Sequence, residues 1–545
     1  MGSKLRILPL GGLGEIGKNM TCIEYGDQIL LIDCGIMFPE NDMLGVDYII
    51  PDYTYLMDKL DRVQAVLFTH GHEDHVGAVS HLMQDVDAPI YATPLTAGFL
   101  RVKLRSNGLL SKVKIHEIQA GDIFEVGVFK IEPFHMAHSI PDCVGYGITT
   151  PAGLVVHTGD YKFDHTPVDG WPPDFAKLAE FSQRGVLCLM GDSTNAEREG
   201  WTPSESVITA AMDQVFEEAE GRIIVATFAS LISRIQQVAD AAVNHGRKLA
   251  VVGRSMRDNV KTALELGYLD VPDDLIVDID EAKKMPLSKV AIMATGAQGE
   301  PTSVIGRLAW NRSRTLNVIP GDTIVLSSHT IPGNEETVHR IINRLFHLGA
   351  NVVYDTLLDV HVSGHASREE MKLLINLVKP KFVLPVHGEL RHLTQHARLA
   401  QSLGIPESNI AIIENGTPVE MDENGITVLD RLPGGYVYID GSGGAGDVTR
   451  RVLRDRERLS ESGFFVVGVP VKGRKINGKL EFVTRGFLNL EEDLYKGVEE
   501  VIKDVVNRQG DKKSGDKLTH LIEEAIIRYL HTETGKRPFV FVIQS

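Results

Sequence analysis

The sequence contains no apolar run long enough to cross a membrane, and its first residues lack the apolar core of a secretion signal. Only four cysteines occur among 545 residues, and no two of them form a C-x-x-C pair. Scattered cysteines of this kind are typical of small buried side chains in a reducing compartment, not of disulfides or a zinc knuckle. These absences favour a cytoplasmic protein with no membrane partner.

The sequence also has fewer basic than acidic residues, 56 against 73. The formal net charge is −17, which taken alone argues weakly against a nucleic-acid partner. A sum over the whole chain still leaves room for a local basic channel, because phosphate contacts are decided within about 10 Å. The chain is also too long for one hydrophobic core, so composition predicts several domains and leaves the substrate open.

A nucleotide motif near the N-terminus is incomplete. Gly12, Gly14 and Gly17 spell the dinucleotide fingerprint G-x-G-x-x-G, and the same segment nearly matches a P-loop, with Asn19 where Ser or Thr is required. Both motifs need a helix directly afterwards, because its N-terminal N–H groups hold the phosphate. The residues that follow predict two short strands joined at Gly26. The glycines are therefore interpreted as a tight turn, and a nucleotide cofactor is rejected.

Strand-like runs dominate up to residue 204, and several end at a residue that can bind a metal: Asp33, His70, His138, Asp160 and Asp192. Functional residues at strand ends, on loops held by a rigid sheet, are a common way to build a site. From 205 to 370 helical and strand-like runs alternate, which predicts a parallel α/β domain. Short strands return afterwards, so this α/β block is interpreted as an insert in the first domain.

The C-terminal part predicts a small α+β domain with no catalytic constellation. Before it lies the basic stretch "RRVLRDRERLS", whose arginines would suit an RNA backbone, but Asp455 and Glu457 offset their charge. We interpret this stretch as a solvated helical linker. The predicted boundaries are 1–204 and 371–445 for the two parts of the first domain, 205–370 for the insert, 446–460 for the linker and 461–545 for the last domain.

The densest chemical motif is "THGHEDHV", residues 69–76. In an extended turn, alternate residues point to the same side, so His70 and His72 can bind one ion. Asp74 and His75 follow one step further on and can serve a second ion. Imidazole and carboxylate are natural ligands for zinc or manganese. A lone histidine such as His81 is usually structural, but a cluster of this density points to metal binding.

This cluster resembles the signature of the metallo-β-lactamase fold, and further residues follow in that fold's order. The resemblance implies that Asp33 orients the ligands from behind, that His138 in "AHSIPD" is a ligand, and that Asp160 bridges both ions. His135 competes for the role of His138, and the wording "HSIPD" favours His138. Two bridged ions activate water in many hydrolases, so the centre alone implies a hydrolase and no more.

The inserted block resembles the β-CASP insert of nucleic-acid-cleaving members of this superfamily. On that resemblance, "MGDSTNAE" supplies the acidic residue Asp192, "HVSGHAS" supplies His365, and "LPVHGE" supplies His387 as the last metal ligand. Within that group, histidine at the last position accompanies RNA substrates, whereas the DNA-directed branch tends to have valine. RNA is therefore favoured.

Taken in order, these motifs resemble the ribonuclease J family from residue 5 to about 440, and "VTRGFLNL" and "IIRYLHTETGKRP" extend the likeness into the tail. The resemblance implies an α/β protein: a metallo-β-lactamase αββα sandwich with an inserted β-CASP domain and a C-terminal domain. It implies two divalent ions, zinc or manganese or both, with magnesium as a further candidate.

The family resemblance also implies an activity and partners. Single-stranded RNA would be degraded from the 5′ end, with preference for a 5′-monophosphate, and also cut internally, in mRNA decay and rRNA maturation. A homodimer or homotetramer and an association with an RNA-degradation complex are expected.

Within the catalytic group, Asp74 is expected to take a proton from the attacking water, and His365, grouped with Asp192, to protonate or hydrogen-bond the leaving oxygen. A pocket for the 5′-phosphate is expected from Ser230, His361, Ser363, Gly364, His365 and Ser367. Ser230 and Ser367 have an alternative interpretation as turn-forming residues. The segment "FASLISRIQ" departs from the family at Leu231 and Ser233, and neither position is a predicted metal ligand.

Three rival interpretations remain at this point. A DNA nuclease of the cross-link repair branch is disfavoured by His387. A non-catalytic RNA-binding subunit would be expected to lack one or more metal ligands, and none is missing. The interpretation as a small-molecule lactamase or thioesterase does not explain the insert or the C-terminal tail.

Overall fold

The computed structural model describes residues 4–40, 42–298, 300, 303–329, 334–441, 448–472, 475–488, 492–509 and 516–544. Contacts divide the chain into two units, Met1–Phe38 with Tyr48–Val437, and Pro39–Asp47 with Tyr438–Ser545. The chain passes from the first unit to the second within the short strand Tyr436–Ile439. In the described part of the chain, no helix is long and apolar enough to cross a membrane.

Two sheets pack face to face in the first unit, and an apolar core that includes Leu30, Leu67, Ile131 and Tyr146 fills the space between them. The order of the eight-stranded sheet is Ile426–Val428, Val419–Met421, Leu5–Gly11, Met20–Tyr25, Gln28–Ile32, Val63–Leu67, Ile90–Ala92 and Ile115–Glu117. The order of the six-stranded sheet is Phe382–Val386, Val186–Asp192, Gly153–His157, Val144–Thr150, Phe129–His135 and Phe124–Val126. A further short strand covers Tyr48–Pro51.

Helices cover the outer faces of both sheets, so the layers are αββα. On the six-stranded sheet, Phe134 and Leu189 pack against Phe181 and Leu374 of two helices. The helices of this layer are Phe175–Arg184, Arg368–Val378 and Leu390–Ser402. The helices beside the eight-stranded sheet are Glu73–Val76, Val79–Asp85 and Pro94–Ser106, and short 3-10 turns lie at Thr54–Leu56, Leu60–Arg62 and Glu407–Asn409.

Strands from beyond the insert complete both sheets. Val419–Met421 pairs with the first strand, Leu5–Gly11, in antiparallel register. Phe382–Val386 pairs in parallel with Val186–Asp192. The predicted return of the chain to its first domain is therefore confirmed, although the domain boundaries themselves stay predictions.

The insert is a third sheet of six parallel strands with helices on both faces. A parallel sheet of this kind is buried on both sides, which is why its strands read as continuous apolar runs. The strand order is Ile276–Val277, Lys248–Val252, Val290–Ala294, Ile223–Ala226, Thr323–Leu326 and Asn351–Tyr354. The helices are Ser206–Glu218, Ile232–Asn244, Arg254–Glu265, Ile279–Ala282, Val304–Ala309 and Glu335–His347, with a 3-10 turn at Leu287–Lys289. The predicted parallel α/β block is confirmed.

The second unit is the predicted small α+β domain. Apolar side chains of its sheet and helices, among them Phe465, Val498 and Ile522, form one core. Its strands are Phe464–Val469, Glu481–Arg485 and Phe539–Gln544, with a hairpin of Val471–Lys472 and Lys475–Ile476. Its helices are Arg450–Ser462, Glu492–Gln509 and Asp516–Thr534. The basic stretch is the first of these helices and buries no residue, as a solvated helix should.

The glycine-rich N-terminal segment is a turn, as predicted. Gly12, Gly14 and Gly17 have φ of 87°, 81° and 106°, a backbone region that favours glycine. Strands Met20–Tyr25 and Gln28–Ile32 follow it, and no helix. The four cysteines are buried and free, again as predicted.

One buried carboxylate fastens three segments of the first unit. Glu370, which is fully buried, accepts hydrogen bonds from the backbone N–H groups of Phe163 at 2.7 Å, Thr202 at 2.8 Å and Ser367 at 2.8 Å. The bond from Ser367 belongs to a capping box at the start of helix Arg368–Val378. Glu370 thus holds the loop before this helix in place.

We expect Glu370→Ala to lower the midpoint of thermal unfolding by about 3 °C. The substitution leaves buried N–H donors without a partner, at a cost of about 3 kcal/mol. Glu369→Ala is the matched control, because Glu369 is partly exposed and pairs with Lys372 on the surface. Circular dichroism checks both variants, and equal midpoints would contradict this role of Glu370.

Candidate metal centre

Loops at the ends of four strands bring all the predicted metal ligands together. His70, His72, Asp74 and His75 follow strand Val63–Leu67, and the other ligands follow strands Phe129–His135, Gly153–His157 and Phe382–Val386. Their ligand atoms form two groups in which all atoms lie within 4.8 Å of one another: His70, His72 and His138, and Asp74, His75, Asp160 and His387. A third group, Asp160, Asp192, His365 and His387, meets the same criterion and overlaps the second. The structure therefore gathers the residues that the sequence assigned to two ions.

In the first group, each imidazole can spare one nitrogen for its neighbours. His138 Nδ1 donates to the Gly364 carbonyl at 2.7 Å, and His72 Nε2 lies 3.4 Å from Ser139 Oγ. The other nitrogens, His138 Nε2 and His72 Nδ1, face each other at 3.2 Å, a distance that needs a proton or an ion between them. His70 Nε2 is buried without any hydrogen-bond partner. These three nitrogens have the chemistry of a metal site.

The second group combines nitrogen and oxygen. His75 Nδ1 lies 2.8 Å from Asp33 Oδ2, while its Nε2 lies 3.2 Å from Asp160 Oδ2. His387 Nδ1 lies 2.8 Å from Asp160 Oδ1, and its Nε2 is buried without a partner. Asp74 Oδ2 is 3.6 Å from Nε2 of both His75 and His387. The unpartnered Nε2 of His387 and the adjacent carboxylates fit a divalent ion.

Asp33 belongs to neither group and supports the predicted ligands through hydrogen bonds. Its carboxylate accepts hydrogen bonds from Thr69, from the N–H at 2.8 Å and from Oγ1 at 2.9 Å, and it also holds His75. Asp33 and His387 both have left-handed backbone, with φ of 61° and 51°. Such backbone strain in non-glycine residues is typical of functional positions.

Electrostatics divide the histidines into two sets. Burial lowers the pKa of His70 and His72 well below the usual value, and it lowers that of His138 to about 3. These rings are neutral, the form in which histidine binds a metal.

The histidines of the second group have the opposite shift. Burial lowers the pKa of His75 and His387, but Asp160 and Asp74, together with Asp33 for His75 and Asp192 for His387, more than compensate, and both pKa values rise. Burial alone would raise the pKa of Asp160, but His387 and His75 hold it well below its usual value. The second group therefore stabilises positive charge, which a divalent ion would provide.

His365 and Asp192 form a pair at the edge of the second group. His365 Nδ1 lies 2.8 Å from Asp192 Oδ2, and Asp192 Oδ1 accepts hydrogen bonds from Thr194 N at 2.9 Å and Oγ1 at 2.7 Å. Burial lowers the pKa of His365, but Asp192 and Asp160 raise it to about 9. Asp192 thus orients the His365 ring through Nδ1, and Nε2 remains available to donate a proton.

The structure distinguishes His138 from His135, the other candidate for the same ligand role. His135 Nδ1 lies 2.9 Å from the Pro172 carbonyl, and its ring stacks on Trp171 at a centroid distance of 3.8 Å. His135 belongs to no ligand group among the described residues, whereas His138 does. The two histidines are only three residues apart, yet His135 packs on Trp171 and His138 lies with the predicted metal ligands.

Two members of the predicted phosphate pocket already have structural partners. Ser363 Oγ accepts from Asn195 Nδ2 at 2.8 Å and from His365 N at 3.2 Å. Ser367 caps helix Arg368–Val378, and its Oγ lies 2.8 Å from Thr202 Oγ1. These contacts account for both serines without a substrate, so their substrate-binding role stays a prediction.

The other pocket residues differ in their surroundings. Ser230 is buried just before helix Ile232–Asn244. His361 packs its ring against His329 at a centroid distance of 4.6 Å, and its Nδ1 is buried without a hydrogen-bond partner. Burial lowers the pKa of His361, and the charge of Arg234 lowers it further. Both Arg234 and Lys162 are themselves paired with Glu205, at 2.8 and 3.6 Å, so this carboxylate balances part of the positive charge near His361.

Sequence reasoning missed the polar residues that support the ligands. Asn19 Nδ2 lies 3.1 Å from His75 Nε2, and Thr69 Oγ1 lies 3.0 Å from His70 Nδ1. Asn195 Nδ2 donates to the His365 carbonyl at 3.0 Å. Thr69 and Asn195 lie within the motifs "THGHEDHV" and "MGDSTNAE", so their position could have suggested them, but only the fold brings Asn19 to His75.

Four family models match the chain. They are "Ribonuclease J, beta-CASP domain" at residues 220–345, "Ribonuclease J C-terminal domain" at 451–545, "Beta-lactamase superfamily domain" at 29–178, and "Zn-dependent metallo-hydrolase RNA specificity domain" at 351–410. The first model lies within the predicted insert, and the second lies in the last domain. The third spans the segment that carries His70 to Asp160.

Several curated proteins are similar over nearly the whole chain. Ribonuclease J 1 of Streptococcus pyogenes is 40% identical, over 99% of this chain and 97% of its own. Ribonuclease J of Thermus thermophilus is 43% identical, over 99% and 95%, and Ribonuclease J2 of Bacillus subtilis is 39% identical, over 99% and 98%.

Among solved structures, a protein of unknown function from Enterococcus faecalis is similar with a TM-score of 0.53 and 15% identity. The match covers 77% of this chain and 100% of that one. At this identity the likeness concerns the fold alone.

We expect His138→Ala to lower the metal content by about one ion per chain, because a three-nitrogen site loses one ligand. His135→Ala is the matched control, since it removes a buried imidazole of the same segment that lies outside both groups. Inductively coupled plasma mass spectrometry after dialysis measures the metal, and circular dichroism checks the fold. Loss of metal from the His135 variant alone would reverse the assignment.

Proposed function

Because this chain belongs to the ribonuclease J family, we propose that it hydrolyses RNA from the 5′ end, favours 5′-monophosphate ends and also cuts internally. Metal-dependent ribonuclease activity follows from the family itself. The observation that carries the proposal is the pair of ligand groups around Asp160, with the His365–Asp192 pair at its edge. A lactamase or thioesterase would need no such insert or tail.

The metal-ligand roles of the two groups are part of this proposal. Two divalent ions would supply an activated water and would spread the charge that develops on the phosphoryl oxygens. Zinc and manganese accept imidazole and carboxylate together, and magnesium prefers the oxygen ligands. The residues His70, His72 and His138 would hold one ion, and Asp74, His75, Asp160 and His387 the other.

His365 is suited to act as the general acid. Its Nδ1 is held by Asp192, and the raised pKa of about 9 keeps the ring protonated at neutral pH. Because Nδ1 is held by Asp192, Nε2 carries the proton that the leaving oxygen needs. Asp192 thus acts in catalysis by fixing the ring and stabilising its charge.

Asp74 is suited to receive the proton of the attacking water. Its side chain is 32% exposed, whereas that of Asp160 is 3% exposed, so Asp74 has access to solvent that the bridging carboxylate lacks. A general base must return its proton to solvent before the next turnover. Asp74 can do so from the rim of the site.

Within the predicted pocket, His361 is the residue that the surroundings support best for a 5′-phosphate. Its unpartnered Nδ1 can contact a phosphate oxygen, and the charges of Arg234, Lys162 and Arg198 act on it. A phosphate brings negative charge near these cations and is stabilised by them. Gly364, beside His365, allows close approach of backbone at the same loop.

The remaining expectations are retained as part of the proposal. Single-stranded RNA is the substrate, and the chain assembles as a homodimer or homotetramer and works in an RNA-degradation complex. A cytoplasmic location and roles in mRNA decay and rRNA maturation follow from the family resemblance and the buried, unpaired cysteines.

We expect His365→Ala and His365→Asn to slow RNA cleavage by about 100-fold or more while metal content is unchanged. Asparagine can still donate a hydrogen bond to Asp192, but it cannot transfer a proton, so both variants should be slow. His116→Ala, which alters a ring stacked on Tyr91 far along the sheet edge, is the control. Wild-type rates in either variant would remove proton transfer by His365 from the mechanism.

The direction of degradation is tested with one body-labelled RNA that carries a 5′-monophosphate, triphosphate or hydroxyl end, digested with manganese. We expect mononucleotides to appear fastest from the monophosphate, and His361→Ala to reduce that preference. A DNA strand of the same sequence should stay intact. Internal fragments formed at the same rate from all three RNAs would contradict the 5′-phosphate pocket.

A further inference from the structure

Three aromatic rings meet at the surface beside the segment that follows Asp192. The His165 ring lies 5.9 Å from that of Phe175 and 6.0 Å from that of Trp201, measured between centroids. Trp201 is 50% exposed, and His165 is also exposed. We call His165, Phe175 and Trp201 the aromatic shelf. Its exposed indole face has no role in the core of the protein.

A single exposed ring is ordinary on a protein surface, but Trp201 is attached to the catalytic loop. The next residue, Thr202, donates from Oγ1 to the His365 carbonyl at 2.7 Å and from its N–H to Glu370. On the other side, the Gly200 carbonyl accepts from Glu369 N at 3.1 Å. The backbone on both sides of Trp201 is therefore fixed to the loop that carries His365.

Charges of both signs lie beside the shelf, since the exposed Glu197 and Glu199 flank the exposed Arg198. Arg198 is exposed three residues before Trp201, and its carbonyl accepts from Arg368 N at 3.0 Å. The charge of Arg198 reaches His361, whereas Lys162 is buried and lies 3.7 Å from Asp164 and 3.6 Å from Glu205. A nucleic-acid strand combines a charged backbone with flat bases, and single-strand sites pair cations with exposed aromatic rings in this way.

We propose that Trp201, with His165 beside it, stacks on a base of the RNA strand whose phosphate lies at His365. This inference rests on the proposed ribonuclease function and adds a binding site to it. Stacking on an indole tolerates any base, because every base has a π face, so the shelf holds the strand without selecting its sequence. Such a contact keeps the strand in register while nucleotides are removed.

The chain offers a direct measurement, because it contains only three tryptophans, Trp171, Trp201 and Trp310. The double variant Trp171→Phe with Trp310→Phe leaves Trp201 as the only indole emitter. Its matched control, Trp171→Phe with Trp201→Phe, leaves Trp310, which is 41% exposed and has Arg344 over its ring. A short phosphorothioate RNA with a 3′ dye is titrated into each, and dye anisotropy reports binding in the same sample.

We expect the emission of Trp201 to be quenched with the same midpoint as the rise in anisotropy, and the emission of Trp310 to stay constant. Anisotropy that rises while Trp201 emission is unchanged would overturn the stacking site and leave the ribonuclease function intact. If the wild-type protein neither binds nor cuts RNA, the proposed function fails, and the stacking site fails with it.

Kinetics give an independent readout. Trp201→Ala is expected to raise KM for RNA by about 10-fold with kcat nearly unchanged, and Trp201→Phe to restore most of the affinity. Trp310→Ala is the control and should leave KM unchanged. A Trp201→Ala protein with wild-type KM would refute the proposal, and so would a loss confined to kcat.

Discussion

Asp160 is the carboxylate on which the arrangement of the centre depends. Ring nitrogens of five histidines, His70, His75, His138, His365 and His387, lie between 2.8 and 3.9 Å from its oxygens. An ionised carboxylate buried at 2% exposure is costly unless positive groups surround it. Its histidine neighbours come from loops that follow three different strands and from the insert, so the charge of Asp160 ties together distant parts of the chain.

The loop at the end of the insert, which carries Gly364 and His365, connects the predicted ligands to the proposed substrate site. The Gly364 carbonyl orients His138, and a Cβ atom on Gly364 would lie 2.5 Å from His138 Cε1, which no side chain can accept. The neighbouring residue His365 is held by Asp192, and Asn195 fixes the same loop from the side. A shift of this loop would therefore move His138, a predicted metal ligand, and the proposed acid together.

Much of this architecture could be predicted from sequence, because its strands end abruptly at polar residues. The alternation of apolar and polar runs identified both the parallel insert and the last unit. The capping role of Ser367 was also readable, since Ser367 and Glu370 have the S-x-x-E spacing of a capping box.

Other features depend on contacts between residues far apart in the chain. No local pattern shows that Asn19 reaches His75, or that His135 stacks on Trp171 while His138 joins the ligands. Similarly, the surroundings of His361 arise from Arg234, Lys162 and Arg198, which lie at very different positions in the sequence. Spacing along the sequence identifies candidate functional residues, but the fold decides which of them come into contact.

The pairing of Phe382–Val386 with Val186–Asp192 has a consequence for biosynthesis. A ribosome makes the chain from its N-terminus, so His70, His72 and Asp74 emerge long before His387, and folding proceeds as segments become available. The second ligand group stays incomplete until the strand that carries His387 has left the exit tunnel. A nascent chain that has not yet exposed His387 therefore lacks part of the second ligand group, whereas the ligands from residues 70 to 160 have already emerged.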